Sequence, residues 1–340
     1  MKVAVFSTRS YDRQFLDLAN KELNSSHELE YFKTQLNPKT ASLAKDFPCV
    51  CIFVNDIADA ETLKILAAQG TKLIALRCAG YNMIDMHVAN ELGLKVVRVP
   101  AYSPYAVAEH AVGLILMLNR KLNKAYNRVR DDNFTLDGLL GFDLHESTVG
   151  VIGTGKIGTI FAQIMKGFGC NLLGYDVYPS EQFKAIPGAK YVELPELLAN
   201  SDIISLHCPL LPSTNHIINE KTIEQMKKGM MLINTSRGQL VDTRAVIEGI
   251  KSGKIAYVGL DVYEEEEELF FQDYSDSIIK DDTFQLLQSF QNVVITAHQA
   301  FFTRNALTSI AQTTITNINS WQQGSELTNE VKVSGKNQQK

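Results

Sequence analysis

Apolar runs alternate with longer amphipathic stretches along most of this chain. In the first hundred residues, runs rich in Val, Ile and Leu predict strands at 2–6, 50–54, 73–77 and 95–99. The stretches between them predict helices at 11–23, 59–69 and 84–92. Strands that alternate with helices are typical of a parallel sheet covered on both faces, so this part of the chain predicts an α/β domain.

The alternation resumes near residue 148 and continues to about residue 300. Strands are predicted at 148–152, 171–175, 202–206, 230–234, 256–260 and 293–296. Helices are predicted at 156–168, 195–199, 220–227, 242–252 and 278–290. Six strands with helices between them suit a complete dinucleotide-binding sheet.

Two further helices flank this second block. Ser103-Pro104 predicts an N-cap followed by proline at the first helical position, and the helix then runs from 105 to 122. That helix is apolar nearly all round, so we expect it to be buried on several sides. A last helix is predicted from 303 to 322, and we expect it to return to the first domain.

One glycine-rich turn opens the second block. Gly153, Gly155 and Gly158 follow an apolar strand with the spacing G-x-G-x-x-G, and the backbone N–H groups of Lys156 and Ile157 begin the next helix. The first glycine permits the turn, the second lets a pyrophosphate approach the backbone, and the third lets the helix pack on the strand. The N-terminus of the helix favours the negative phosphates. This pattern predicts a dinucleotide site.

An acidic residue stands where a ribose would be bound. The strand that follows the glycine turn ends on Asp176, about 20 residues downstream, and a carboxylate at that point accepts hydrogen bonds from ribose hydroxyls. Ligands of such sheets bind at the carboxyl ends of the strands. The other candidates at strand ends are His207, Cys208, Thr235, Ser236, Arg237, Asp261 and His298.

Composition narrows the class of protein. The chain has 340 residues, 45% of them hydrophobic and 21% charged, which suits a globular protein of about two domains. Its net charge of −5 argues against a nucleic-acid partner, and no apolar run approaches the ~18 residues of a membrane span. The cysteines show no zinc or C-x-x-C spacing, so we expect buried, reduced thiols, a cytoplasmic location and no metal site; they are Cys49, Cys51, Cys78, Cys170 and Cys208.

Six short segments together resemble one enzyme family. They are 75–82 (ALRCAGYN), 99–104 (VPAYSP), 153–158 (GTGKIG), 234–238 (NTSRG), 259–264 (GLDVYE) and 297–301 (AHQAF). The chain resembles the D-isomer-specific 2-hydroxyacid dehydrogenases over almost its whole length, from Lys2 to about Glu330. Within that family it is most similar to the fermentative, NAD-dependent D-lactate dehydrogenases of bacteria.

The resemblance implies a two-domain architecture. We expect an α/β fold with two Rossmann-like, doubly wound parallel sheets. A flavodoxin-like substrate domain would comprise residues 1–100 and 300–333, and an NAD-binding Rossmann domain would comprise residues 101–299. Residues 334–340 would form a frayed tail. Proteins of this kind assemble symmetrically, so we expect a homodimer or a homotetramer.

The family's catalytic residues fall on Arg237, Glu266 and His298. The family places its glutamate five residues after the aspartate that corresponds to Asp261, which selects Glu266 from the acidic run 264–268. Glu265, Glu267 and Glu268 are expected to form a solvated acidic loop. His298 as imidazolium would supply the proton to a 2-keto acid, and the carboxylate of Glu266 would favour the charged ring and hold it. Arg237 would bind the substrate carboxylate.

The same resemblance implies the rest of the site, with NAD as the cofactor and pyruvate and D-lactate as the substrates. The cofactor-binding residues would be Gly153, Gly155, Lys156, Ile157, Gly158, Asp176, His207, Cys208, Thr214, Thr235, Ser236, Arg237 and Asp261. The substrate-binding residues would be Arg9, Cys78, Ala79, Gly80, Tyr102, Arg237, His298 and Phe301. The aromatic rings of Tyr102 and Phe301 leave room for a methyl group, which favours pyruvate.

Two alternatives stay open on the sequence. One keeps the class and changes the substrate to larger 2-keto acids, which relative turnover of pyruvate and 2-ketoisocaproate would reveal. The other is an NADH-sensing interaction protein on the same fold. Oxidation of NADH on addition of pyruvate separates this second alternative from an enzyme.

Overall fold

The chain divides into two compact units, which are described here from a computed structural model of residues 1–266 and 269–332. One unit comprises Met1–Ser103 together with the chain from Phe302 onward, and we call it the N-terminal unit. The other comprises Pro104–Phe301, and we call it the central unit. The tail predicted at 334–340 lies outside the described residues.

The N-terminal unit is built on a five-stranded parallel sheet with the order β2-β1-β3-β4-β5. Its strands are β1 Lys2–Val5, β2 Glu28–Tyr31, β3 Cys49–Ile52, β4 Leu73–Leu76 and β5 Lys95–Val97. Its first three helices are α1 Ser10–Glu22, α2 Ala60–Ala68 and α3 Met86–Glu91. Strand order of this kind is that of flavodoxin-like sheets, so the predicted architecture is confirmed.

The two edges of this sheet are where sequence and structure differ most. Strand β2 was not predicted, because Glu28–Tyr31 is an edge strand with two glutamates and no apolar run. At the opposite edge the C-terminal segment covers β5: Arg98 N donates to Asn329 O at 3.1 Å, and Val331 N donates to Val96 O at 2.8 Å. This segment satisfies backbone groups that an open sheet edge would leave unpaired.

The central unit is built on a seven-stranded parallel sheet with the order β12-β11-β10-β9-β6-β7-β8. Its strands are β6 Thr148–Ile152, β7 Asn171–Tyr175, β8 Lys190–Tyr191, β9 Ile203–Leu206, β10 Met230–Asn234, β11 Ile255–Leu260 and β12 Val293–Ile295. The strand order reverses between β6 and β9, which is the point where doubly wound sheets bind dinucleotides. The six predicted strands are all present, and the seventh, β8, was missed because it is only two residues long.

The helices of the central unit flank this sheet. They are α4 Pro104–Arg120, α5 Leu122–Arg130, α6 Lys156–Gly167, α7 Glu181–Lys184, α8 Leu194–Asn200, α9 Glu220–Gln225, α10 Thr243–Lys251 and α11 Asp282–Ser289. The single helix predicted from 105 to 122 was wrong at its end: Lys121 adopts a left-handed backbone, with φ of 47°, and separates α4 from α5. Helix α5 and the short α7 were not predicted, because α5 buries no residue and its sequence is mostly polar.

The last helix and α4 pack as expected from their apolar positions. Helix α12, Arg304–Gln322, begins one residue after the predicted start, because Thr303 is its N-cap and accepts from Ala306 N, and it packs against α1 and β4 of the N-terminal unit. Helix α4 packs against α6, β10 and β11. Within the described ranges, no helix combines the length and the apolar composition that crossing a bilayer requires.

Candidate active site

The glycine turn after β6 leaves open space at one glycine and none at the other two. Gly153 has φ of +93°, and a Cβ there would lie 2.5 Å from Cys208 N. A Cβ on Gly158 would lie 2.0 Å from Gly153 O. A Cβ on Gly155, the N-cap of α6, would meet no atom within 4 Å. Gly153 and Gly158 therefore permit the turn and the helix packing, and Gly155 leaves its backbone accessible to a ligand.

Asp176 directly follows β7, beside the glycine turn. Its Oδ2 accepts from Thr154 N at 2.6 Å, and its Oδ1 accepts from Tyr178 N at 2.9 Å. These bonds fix the carboxylate at the carboxyl edge of the sheet, where both oxygens retain capacity to accept from a ligand hydroxyl.

The segment after β9 packs against the glycine turn with its backbone. The ring of His207 lies 4.8 Å from that of Phe161, and its Nε2 lies 2.9 Å from Ser205 Oγ. Burial lowers the pKa of His207 to about 3 and raises the pKa of the Cys208 thiol to about 11, so both side chains are neutral. Further along, Thr214 Oγ1 donates to Pro209 O at 2.7 Å. The side chain of His207 is thus engaged inside the unit.

A tight turn after β10 carries Thr235, Ser236 and Arg237. Ser236 N donates to Asn234 Oδ1 at 3.0 Å, and Arg237 Nη1 donates to Ser236 O at 2.7 Å, which orients the guanidinium. The hydroxyl of Thr235 is buried and has no hydrogen-bond partner among the described residues. A buried hydroxyl without a partner is costly, so this position suits a polar group of a ligand.

His298 and Glu266 form a hydrogen-bonded pair. His298 Nδ1 lies 2.7 Å from Glu266 Oε1, and each side chain is 19% exposed. Glu266 Oε2 accepts from Tyr263 N at 2.9 Å, which fixes the carboxylate. The ring of Phe271 lies 5.9 Å from the imidazole. Because Nδ1 faces the carboxylate, Nε2 is the nitrogen that remains to exchange a proton with a substrate.

Glu264, two residues before Glu266, has different partners. Its Oε1 lies 2.6 Å from His216 Nε2, and its Oε2 accepts from Thr243 Oγ1 at 2.9 Å. Glu264 therefore anchors the segment that leads to Glu266, whereas Glu265 is exposed. Glu267 and Glu268 lie outside the described residues.

Asp261 holds the backbone that carries His298. Its carboxylate is fully buried and accepts from Gln299 N at 2.9 Å and from Ala300 N at 2.8 Å. Its own carbonyl accepts from His298 N at 2.7 Å. His298 has φ of +51°, a left-handed conformation that is unfavourable for a residue with a side chain. Asp261 is thus a structural clamp on the turn 298–300.

The substrate-binding candidates of the N-terminal unit lie at strand ends of its sheet. Arg9 follows β1 and is the N-cap of α1, where its backbone N–H donates to Asp12 Oδ2 at 2.8 Å. Cys78, Ala79 and Gly80 follow β4, and Cys78 Sγ donates to Gly80 O at 3.3 Å. Tyr102 lies in the segment between β5 and α4. In the central unit, Phe301 is buried and follows the turn held by Asp261.

Comparison with known proteins agrees with this arrangement. Residues 112–300 match the model of the D-isomer specific 2-hydroxyacid dehydrogenase, NAD binding domain. D-lactate dehydrogenase of Escherichia coli strain K12 is 51% identical over 331 residues, which cover 97% of this chain and 100% of that protein. The chain belongs to the D-isomer-specific 2-hydroxyacid dehydrogenase family.

Two solved structures extend the likeness to this dehydrogenase's whole fold. The apo structure of the Escherichia coli D-lactate dehydrogenase has a TM-score of 0.89 at 49% identity and covers 97% of this chain and 100% of its own. A structure described as the pyruvate reductase of Chlamydomonas reinhardtii has a TM-score of 0.91 at 45% identity, with 97% and 98% covered. The predicted family is therefore confirmed.

The central unit of this dehydrogenase fits the NAD that its family model names. Open space above Gly155 faces the start of α6, Asp176 stands at the end of β7, and the Thr235 hydroxyl is buried without a partner. These three groups follow three different strands at one edge of the sheet, where the family's cofactor would lie across them. Arg237 and His298 follow β10 and β12 at the same edge.

Two polar side chains of this dehydrogenase that lie outside the predicted site residues also have partners far away in the sequence. Arg77 is 1% exposed at the end of β4, where its Nε lies 3.2 Å from Asp12 Oδ1 and its Nη2 donates to Ser7 O at 3.0 Å. His110 of α4 reaches Asp261 in the central unit. An arginine that ends an apolar strand was a visible signal for the first group. The second could not be read from spacing, because its partners are 151 and 186 residues away.

Proposed function

We propose that this chain is an NAD-dependent D-lactate dehydrogenase that interconverts pyruvate and D-lactate. The observation that carries the proposal is the bond between His298 Nδ1 and Glu266 Oε1, at the same sheet edge as Arg237 and the glycine turn. An acid-base histidine held by a carboxylate, beside an arginine and a dinucleotide site, suits reduction of a 2-keto acid. The similarity to D-lactate dehydrogenases supports pyruvate as the substrate.

In the reduction, a hydride must reach the carbonyl carbon of pyruvate and a proton must reach the carbonyl oxygen. NAD in its reduced form, bound to the central unit, would supply that hydride and be oxidised by the transfer. His298 in its imidazolium form gives the proton from Nε2, because Nδ1 is bonded to Glu266. The neutral imidazole that remains takes the proton back in the reverse reaction, the oxidation of D-lactate.

Arg237 and Glu266 prepare this proton transfer. The guanidinium of Arg237, oriented by its bond to Ser236 O, binds the substrate carboxylate with its planar fork and polarises the carbonyl. Glu266 stabilises the imidazolium over the neutral ring and fixes its orientation. Backbone N–H groups of Cys78, Ala79 and Gly80 would hold the substrate carboxylate from the N-terminal unit.

The remaining assignments complete the proposed sites. Tyr102, Phe301 and Arg9 would line the substrate site and leave space for a methyl group. The adenosine and pyrophosphate of NAD would lie along the residues Gly153, Gly155, Lys156, Ile157, Gly158, Asp176, Cys208 and Thr214. His207 would act on that site by packing beneath the glycine turn, because its ring is engaged with Phe161 and Ser205.

Two assays on the purified full chain test the proposal. NADH oxidation is followed after addition of pyruvate or of 2-ketoisocaproate, and the product is then resolved into its D and L forms. We expect oxidation with pyruvate, a higher kcat/KM for pyruvate than for 2-ketoisocaproate, and D-lactate as the product. Preference for 2-ketoisocaproate would assign a larger 2-keto acid, and NADH binding without turnover of either would favour a sensing protein.

A homo-oligomer is part of this proposal. Apolar side chains are exposed along α5 and the segment after it, at Leu122, Tyr126, Val129, Phe134, Leu136 and Leu140. Exposed apolar side chains grouped along one segment are typical of a protein interface, and a symmetric dimer would bury them on both copies. Light scattering should show that the wild type is a dimer or a tetramer. The double substitution Leu136→Glu/Leu140→Glu should dissociate it. The control Ile278→Glu, at another exposed apolar residue, should leave the oligomer intact. A monomeric wild type would contradict this part.

The cysteines support a cytoplasmic location. All five, namely Cys49, Cys51, Cys78, Cys170 and Cys208, are buried and free. Reduced thiols are typical of proteins that work in a reducing compartment. Fermentation in the cytoplasm, where pyruvate and NADH are both available, is the role we propose for the enzyme.

A further inference from the structure

His110, on the second turn of α4, lies beside the buried carboxylate of Asp261. Helix α4 packs against β11 and β12, and these two strands lead directly into Asp261 and Thr296. His110 Nε2 lies 3.0 Å from Thr296 Oγ1 and 3.4 Å from Asp261 Oδ1. The hydroxyl of Thr296 in turn donates to Asp261 Oδ1 at 2.5 Å. The three side chains form one hydrogen-bonded cluster within the central unit.

The cluster determines which nitrogen of His110 carries a proton. A threonine hydroxyl has one hydrogen, and Thr296 gives it to the carboxylate of Asp261. The oxygen of Thr296 must then accept from His110, so Nε2 of His110 is protonated. The same N–H group lies close to Asp261 Oδ1, and a buried carboxylate is stabilised by each hydrogen-bond donor near it.

The same carboxylate reaches the candidate proton donor. Asp261 binds the backbone N–H groups of Gln299 and Ala300 through its side chain, and that of His298 through its carbonyl. His298 has φ of +51°, and a strained backbone persists only where its surroundings hold it. A chain of hydrogen bonds therefore runs from His110, through Thr296 and Asp261, to the turn that carries His298.

We propose that His110 is a positioning residue for His298. By donating from Nε2, it fixes the orientation of the Thr296 hydroxyl and of the Asp261 carboxylate, and that carboxylate fixes the turn 298–300. This inference rests on the proposed function, because His298 is taken as the proton donor. Loss of the donor at position 110 leaves the turn less well held and displaces Nε2 of His298, and small displacements of a catalytic group lower the rate strongly.

The test compares substitutions that keep or remove a donor at position 110. His110→Leu removes it, and His110→Gln retains an amide N–H that can reach Thr296. Thr296→Val breaks the same chain at its next member, and Glu109→Gln is the control, since Glu109 is exposed on the same turn of α4. Each full-length variant is assayed for kcat and KM with pyruvate, for the isotope effect with NADH deuterated at the transferred position, and for amide hydrogen exchange at residues 298–300.

We expect His110→Leu and Thr296→Val to lower kcat at least tenfold, with KM for pyruvate changed less than threefold, because Arg237 still binds the carboxylate. The isotope effect on kcat should rise, since the chemical step becomes slower relative to product release. Exchange of the Gln299 and Ala300 amides should accelerate. His110→Gln should recover most of the rate and of the protection, and Glu109→Gln should match the wild type in all three measurements.

Two other results have distinct meanings. Wild-type kcat, isotope effect and amide protection in His110→Leu would overturn the inference. A wild type that does not turn over pyruvate would overturn the proposed function instead, and amide exchange at 299 and 300 would still decide whether His110 holds this turn.

Discussion

Glu266 Oε1 lies 2.7 Å from His298 Nδ1. Glu264, from the same run of glutamates, is bonded to His216 and Thr243 instead. In the sequence, Glu264 and Glu266 differ only in their spacing from Asp261; in the structure, only Glu266 contacts His298. Glu266 supports the proposed proton donor, and Glu264 anchors the segment that carries Glu266.

Gly155 and Gly158 should respond differently to the same substitution. Gly158→Ala places a Cβ 2.0 Å from Gly153 O, so we expect little folded protein. Gly155→Ala meets no atom within 4 Å and has φ of −64°, which alanine adopts readily, so the chain should fold normally. Its methyl group would stand where the pyrophosphate approaches, and NADH should bind at least tenfold more weakly, a loss of about 1.4 kcal/mol.

Thermal unfolding and NADH fluorescence titration check both expectations. Wild-type NADH affinity in a folded Gly155→Ala variant would show that the glycine turn is not the phosphate site.

Asp176 should determine the preference for NADH over NADPH. Its carboxylate accepts from ribose hydroxyls but repels a 2′-phosphate. Asp176→Asn keeps an acceptor for Thr154 N and removes the charge, so we expect the ratio of kcat/KM for NADH to that for NADPH to fall at least tenfold. Steady-state kinetics with both cofactors measure this ratio. An unchanged ratio would place the ribose elsewhere.

His207 should make the enzyme less stable in acid. Burial lowers its pKa from 6.5 to about 3, so the unfolded chain takes up a proton at this residue between those two pH values and the folded chain does not. The stability that the neutral ring contributes is complete above pH 6.5 and is lost as the pH falls towards 3. Between pH 7 and pH 5 the loss would amount to about 2 kcal/mol at most.

Urea unfolding at both pH values, at one protein concentration, measures that loss. We expect a smaller loss in His207→Gln than in the wild type. His87→Gln serves as the control, because the side chain of His87 is 79% exposed. Equal acid sensitivity of the wild type and His207→Gln would mean that His207 is protonated in the folded enzyme.

The order of strands and helices could be predicted because the buried strands are short continuous apolar runs. Strands β6, β7 and β10 begin and end where the sequence placed them. Two of the edge strands, β2 and β8, escaped prediction for a physical reason: β2 is half exposed and β8 has two residues, so neither needs an apolar run. Helix α5 escaped because its sequence is mostly polar and it buries no residue, and its few large apolar side chains are exposed.

Within the proposed site, the family resemblance predicted the roles of Arg237, Glu266 and His298, but it carried no information on what holds these side chains in place. The clamp by Asp261 depends on hydrogen bonds from backbone N–H groups that lie 38 and 39 residues away in the sequence. These bonds accompany the left-handed backbone of His298 at the start of the turn 298–300. Likewise, the burial of the His207 ring follows from packing against Phe161, which no local pattern records.

The most direct test of the proposed chemistry is a pH–rate profile for the wild type, Glu266→Gln and Glu264→Gln, with pyruvate reduction and D-lactate oxidation each measured. Reduction needs a protonated His298, so its rate falls as pH rises, and oxidation needs the neutral ring. The amide of Glu266→Gln can still hold the ring but no longer stabilises its charge. We therefore expect the fall of the reduction rate to move to lower pH, and oxidation to persist to lower pH by the same amount.

A displacement of one pH unit would correspond to about 1.4 kcal/mol of lost interaction between Glu266 and the charged His298. Glu264→Gln should leave both midpoints in place. An unmoved profile in Glu266→Gln beside a displaced one in Glu264→Gln would contradict the account.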